Sequence, residues 1–129
     1  MKKKILVVDD EADFLEVIKL RLEANGYDVI TSLNGEDALN KIKDEKINAV
    51  LLDILMPGID GLEVLKRIRK LDENLPVYII TAFSTEERFK MANKFGASGF
   101  IVKTDDLGKQ IKSINSVIDM AERYRGKNK

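Results

Sequence analysis

Ala49-Val50-Leu51-Leu52-Asp53-Ile54-Leu55-Met56-Pro57-Gly58-Ile59-Asp60-Gly61 is the stretch on which the fold turns. Four consecutive apolar residues leave no polar face, as in a parallel strand covered on both sides. Asp53 halts that run and separates it from Ile54, Leu55 and Met56, so a carboxylate stands where burial without a partner is costly. Asp60 then opens a helix. Glu63, three residues on, completes a capping-box pattern, and Leu62, Leu65 and Ile68 form the apolar face.

Outward from this stretch the same alternation repeats. Upstream, Ile5-Leu6-Val7-Val8 is a second apolar run, followed by a helix with Phe14, Val17, Ile18 and Leu22 on its inner face and an end at Asn25-Gly26. Val29-Ile30 reads as a shorter strand, and Asn34-Gly35 opens a helix carrying Ala38, Leu39 and Ile42. Downstream, Val77 to Ile80 is a strand. Ser84 with Glu87 marks a capping box before a helix bearing Phe89, Ala92 and Phe95. Phe100-Ile101-Val102 is the fifth strand, and Leu107, Ile111, Ile114, Ile118 and Ala121 trace one face of the longest helix. Residues 1–123 are thus expected to form one domain, with 124–129 a basic tail that frays.

Five strands alternating with five helices argue for an open parallel sheet covered on both faces, a doubly wound α/β fold. Order 2-1-3-4-5 is one candidate, and periodicity does not select it over other doubly wound orders. A chain of 129 residues is ample for one such domain. Lys and Arg together number 22, as do Asp and Glu, so the balance gives no global attraction to nucleic acid or to an anionic membrane. The apolar stretch behind the basic start ends at Asp9, too early for a secretory signal, and the expected location is cytoplasmic. With no Cys and no His, thiol chemistry, zinc sites and imidazole catalysis are excluded. A metal here must be held by oxygen, which points to Mg2+ or Ca2+.

In an open parallel sheet the C-terminal strand ends share one edge, where ligands bind. Here those ends carry Asp9 and Asp10, Asp53, Thr81, and Lys103. Two carboxylates about 4 Å apart repel by about 4 kcal/mol at an effective dielectric of about 20, so the group must raise a carboxyl pKa or recruit a cation. Each residue also has a plain structural role open to it. Asp10 could cap the first helix, Asp60 caps the third, Thr81 suits a strand, Lys103 could lie on the surface and Phe100 could be core. One site explains the five strand-end residues together better than five separate accidents.

The chain resembles the response-regulator receiver family over essentially its full length. The resemblance rests on Ile5-Leu6-Val7-Val8-Asp9-Asp10-Glu11, on Leu51 through Gly61 with its D-x-x-M-P-x-x-D-G run, on Ile80-Thr81-Ala82, and on Gly96-Ala97-Ser98-Gly99-Phe100 leading to Lys103. It implies a flavodoxin-like sheet of order 2-1-3-4-5 and a signalling switch driven by phosphorylation. By the same resemblance Asp53 is the phosphoacceptor and a Mg2+ ligand, Asp10 a direct metal ligand, Asp9 a ligand through water, and the Leu55 backbone carbonyl a further ligand. Lys103 would pair with the phosphoryl group, Thr81 would be the switch hydroxyl and Phe100 the switch aromatic. The implied partners are a sensor histidine kinase or histidine phosphotransfer protein and a downstream protein target, with no direct nucleic-acid or membrane partner.

One departure matters. The family's usual proline after the lysine is Thr104 here, so a trans bond is expected, with a loop that differs, a less firmly placed Lys103, and Thr104 or Asp105 as helix cap. Leu55 and Phe83, two residues past Asp53 and Thr81, are both apolar, and by resemblance they flank the path of the hydrolytic water; slow self-dephosphorylation is expected. Two alternatives compete with the switch. A pseudo-receiver would fold and bind without being phosphorylated. A haloacid-dehalogenase-like phosphatase would want a second Asp where Leu55 stands.

Overall fold

The structure, a computed structural model, describes residues 2–56, 58–82 and 85–127. Strands and helices alternate as β1 (Lys4–Val8), α1 (Ala12–Ala24), β2 (Asp28–Ser32), α2 (Gly35–Asp44), β3 (Ala49–Leu52), α3 (Gly61–Leu71), β4 (Val77–Thr81), α4 (Glu86–Lys94), β5 (Gly99–Val102) and α5 (Leu107–Lys127). All four strand pairings are parallel and the order is β2-β1-β3-β4-β5, the flavodoxin-like arrangement.

The twofold alternation of a strand sorts the core into two layers. Leu6, Val8, Val50, Leu52, Val77 and Ile79 face α2, α3 and α4, meeting Ala38, Leu39, Leu65, Ile68 and Ala92. Ile5, Val7, Leu51, Tyr78, Ile80 and Ile101 face the other way, toward Leu15, Ile18 and Leu22 of α1 and Ile111, Ile114 and Ile118 of α5. Fully burying each such side chain contributes about 1.5–3 kcal/mol, which is why the central strands carry no polar residue until their ends.

Helix starts follow local chemistry. Asn34 Oδ1 accepts from the Asp37 N–H at 2.9 Å, and Asp60 Oδ1 accepts from the Leu62 N–H at 2.6 Å, so Asp60 is the cap its spacing indicated. Glu63 lies 3.2 Å from Arg67 in an (i, i+4) pair. At α4 the cap is Thr85, whose Oγ1 accepts from the Arg88 N–H at 3.2 Å, one residue later than the sequence pattern placed it; Ser84 lies outside the described residues. In α1 the buried stripe is Leu15, Ile18 and Leu22, with Phe14 and Val17 half-buried at its edge. The α5 backbone is helical through Lys127, past the boundary expected at 123, while Asn128 and Lys129 lie outside the described residues. Among the described residues no helix is long and apolar enough to cross a membrane.

The turn after β3 is set by Gly61. Its N–H donates to the Ile54 carbonyl at 3.3 Å, and a Cβ there would meet the Ile54 Cα and lie 2.5 Å from the Asp53 carbonyl oxygen. These are backbone atoms, which cannot swing aside, so α3 approaches the Asp53 turn this closely only with glycine. Gly61→Ala is expected to destabilise the fold by about 1–3 kcal/mol, read as a lowered denaturation midpoint; an unchanged midpoint would show that this approach is not a tight one.

Candidate functional site

Ladder geometry brings the site together. Val8 is the register partner of Leu52, and Thr81 of Val102, so the residues that follow β1, β3 and β5 emerge at one edge beside Thr81. Three backbone bonds extend the ladders past the strand ends: Asp9 N–H to the Ser32 carbonyl at 3.1 Å, Asp53 N–H to the Val8 carbonyl at 3.0 Å, and Lys103 N–H to the Thr81 carbonyl at 3.0 Å. Asp9, Asp53 and Thr81 are buried there, while Asp10 and Glu11 are exposed.

Lys103 organises the charge. Its Nζ is 2.7 Å from Asp9 Oδ2, 2.7 Å from Glu11 Oε1 and 3.7 Å from Asp53 Oδ2. It also sits 4.1 Å from the centroid of the Phe14 ring, a cation–π contact. Burial alone would lower the Lys103 pKa, but hydrogen bonds to Asp9 and Glu11 and the charges of Asp9 and Asp53 outweigh it, and the net shift is upward. Lys103 therefore stays an ammonium.

Asp53 is pushed the other way. Desolvation raises its pKa from 3.8 to about 6, helped by the charges of Asp9 and Asp10 and opposed by the Leu55 N–H and by Lys103. The Leu55 N–H donates to Asp53 Oδ1 at 2.9 Å and the Glu11 N–H to Asp9 Oδ1 at 2.8 Å, which aims both carboxylates. Asp9, Asp10, Glu11 and Asp53 each offer an oxygen, all within 4.8 Å of one another. Four carboxylates face one ammonium, and the set contains only oxygen donors. That chemistry fits a hard divalent cation.

The expected residues Asp9, Asp10, Asp53 and Lys103 thus converge, with Thr81 at the adjoining strand end. Asp10 is not the cap of α1; Glu11 occupies that position, without a side-chain capping bond. Phe100 is half-buried on β5 and packs edge-on against Phe89 of α4, with centroids 5.0 Å apart and planes at 74°. Leu55 is exposed, and Phe83 lies outside the described residues.

Thr104 produces the trans linkage expected, since no cis peptide bond occurs among the described residues. Lys103 is in contact with two carboxylates and an aromatic ring. One other expectation fails. The cap of α5 is Asp106, whose Oδ1 accepts from the Lys109 N–H at 3.1 Å, while Thr104 Oγ1 accepts from the Asp106 N–H at 3.2 Å.

Sequence reading missed Glu11, Phe14 as a partner of Lys103, and Gln110. Glu11 follows the acidic pair directly, so its chance to join the cluster was visible. Gln110 lies three residues after Leu107 and four before Ile114, a polar residue on the buried stripe of α5, and that mismatch was the available signal.

The family model of the response regulator receiver domain matches residues 5–115. The alkaline phosphatase synthesis transcriptional regulatory protein PhoP of Bacillus subtilis is 40% identical over 103 residues, 80% of this chain and 43% of that protein. The chain spans about half the length of the curated relatives it matches. Among solved structures, a CheY-like receiver domain protein of Methanospirillum hungatei is 29% identical, with a TM-score of 0.87 over 96% of this chain and 99% of that one. The response regulator TrrA of Thermotoga maritima, solved in complex with Mg2+-BeF, is 36% identical, with a TM-score of 0.78 over 89% of this chain and 98% of that one. From Ile5 onward, fold, strand-end chemistry and kinship agree: this chain belongs to the response regulator receiver domain family.

Proposed function

We propose that this domain is a phosphorylation-activated switch that accepts a phosphoryl group on Asp53 from a phosphohistidine of a partner kinase or phosphotransfer protein. The observation that carries the reading is the pairing of a buried, charge-crowded Asp53 with an ammonium 3.7 Å away. The 129 residues contain no histidine, so the donor imidazole lies outside them. In the transfer an Asp53 carboxylate oxygen attacks phosphorus and the P–N bond of the phosphoimidazole breaks. The electron pair of that bond stays on the imidazole nitrogen, which then takes a proton.

Asp10, Asp53 and the Leu55 backbone carbonyl would hold Mg2+ directly, with Asp9 acting through water. When bound, Mg2+ supplies positive charge against the phosphoryl oxygens. The chain's own contribution is orientation and charge. The Leu55 N–H aims Asp53, and Lys103 turns its ammonium from the carboxylates to the new phosphoryl oxygens. A phosphoryl group adds about −1.5 to −2 charges and three acceptor oxygens at one point, which gives the Thr81 hydroxyl a reason to move inward. Phe100, packed on Phe89, would follow and shift α4 relative to β5, changing the surface of the last two strands and helices. A protein target reads that surface, and the domain works in the cytoplasm beside its kinase. A dehalogenase-like phosphatase is disfavoured because apolar Leu55 occupies the place of its second Asp.

Three outcomes test this reading. Incubation with acetyl phosphate and Mg2+ should add one phosphoryl group to the wild type by intact mass and none to Asp53→Ala; an unmodified wild type would support a pseudo-receiver instead. The second concerns pH. Between about pH 4 and pH 6 the unfolded chain has lost its Asp53 proton while the folded one keeps it, so without cation this group's contribution to stability falls as pH rises through that window. Mg2+ favours the ionised form, so it should raise the melting temperature more at pH 7.5 than at pH 5. An equal rise at both would remove Asp53 from the metal site. Finally, the phosphoryl half-life should shorten in Leu55→Asn combined with Phe83→Glu, and an unchanged half-life would end the link between these apolar side chains and slow hydrolysis.

A further inference from the structure

Gln110 is fully buried on α5, among Ile111, Ile114 and Ile118, where an apolar side chain would pack without needing hydrogen bonds. Its amide is satisfied by two backbone groups of one short segment. Nε2 donates to the Val102 carbonyl at 3.2 Å, and Oε1 accepts from the Thr104 N–H at 2.8 Å. The assignment is forced, because a carbonyl only accepts and a backbone N–H only donates.

The two bonded groups bracket Lys103. The Val102 carbonyl belongs to the peptide plane before the Lys103 Cα, and the Thr104 N–H to the plane after it. Rotation of the first plane about that Cα is φ and rotation of the second is ψ, so one rigid amide gripping both fixes both angles. The Lys103 N–H bond to the Thr81 carbonyl holds the same residue from the sheet side. The grip also depends on residue 104 having an N–H, which Thr104 provides and a proline would not.

We propose that Gln110 is a positioning residue for Lys103, clamping the trans segment from Val102 to Thr104 so that the ammonium projects to Asp9, Glu11 and Asp53. This rests on the phosphoacceptor reading above. Gln110 does not touch the reacting atoms; it acts through the lysine backbone. A swing of about 20° at the Lys103 Cα would carry the far end of the side chain by about 2 Å, enough to take it out of ion-pair reach.

The test uses initial rates of phosphorylation by acetyl phosphate at saturating Mg2+, together with Mg2+ affinity, for wild type, Gln110→Met, Lys103→Ala and the double variant. Met fills nearly the same volume and makes neither bond, and Gln110→Leu replaces it should Gln110→Met not fold. The expected result is a rate lowered about tenfold or more by Gln110→Met, with Mg2+ affinity within about twofold of wild type. In the Lys103→Ala background the same change should alter the rate by less than about twofold, because the group it positions is gone. A purely structural Gln110 would slow both backgrounds equally, and that result, or an unchanged rate in Gln110→Met alone, overturns the inference. Were the wild type to take up no phosphoryl group while binding Mg2+, the phosphoacceptor reading itself would fall, and the positioning role with it.

Discussion

Buried like charge is the constraint around which this molecule is arranged. Three parallel strands end in acidic or cationic residues at one edge, and two of those acids, Asp9 and Asp53, are shut away from water. Removing two carboxylates from solvent beside each other is affordable only with positive charge in contact. Lys103 meets that need from the far end of the sheet, bridging Asp9 and Glu11 while standing within Coulombic reach of Asp53. One ammonium against four carboxylates leaves the cluster short of positive charge, a deficit whose oxygen donors suit a hard divalent ion.

The same arrangement explains how a local charge could be felt at a distance. Lys103 and Phe100 lie on one short segment beginning in β5, and Phe100 packs on Phe89 of α4. Ala92 is the one fully buried residue described in α4, so that helix is lightly anchored compared with α3, which buries Leu62, Val64, Leu65 and Ile68. Beside the Phe89–Phe100 contact it has a polar tie, in which Arg88 Nη2 donates to Asp60 Oδ2 at 3.4 Å. Elements with few buried apolar groups are the ones that rearrange at low free-energy cost. By contrast α3 is tied firmly, since Arg69 Nε donates to the Gly96 carbonyl at 2.9 Å and Nη1 to the Leu75 carbonyl at 2.7 Å.

Much of this was readable from residues alone because the determinants are local or periodic. Two-sided apolar runs announced β1, β3 and β4, and Asp53, Asp9 and Lys103 stood out as charges abutting such runs. The strand order needed kinship, since periodicity treats all doubly wound orders alike. Helix caps slipped by a residue or more at Thr85 and Asp106 because several Ser, Thr and Asp residues compete at each start and only backbone geometry chooses. The Lys103 environment was least legible. Glu11 and Phe14 reach it from the start of α1, and no pattern along the chain encodes a contact spanning ninety-odd residues; Gln110 is near in sequence, but only the fold shows which backbone groups its amide meets. The substitution at Thr104 gave no sign that a buried amide from the next helix would bond the segment around Lys103.

The central claim is that Lys103 is held among carboxylates in readiness for a phosphoryl group on Asp53. A crystal structure of this protein with Mg2+ and beryllofluoride tests it most directly. The expected result is beryllofluoride bound through beryllium to an Asp53 oxygen, with the Lys103 ammonium withdrawn from Glu11 and bonded to a fluorine. An Asp53 left bare at saturating reagent, with Lys103 still on Asp9 and Glu11, would contradict it.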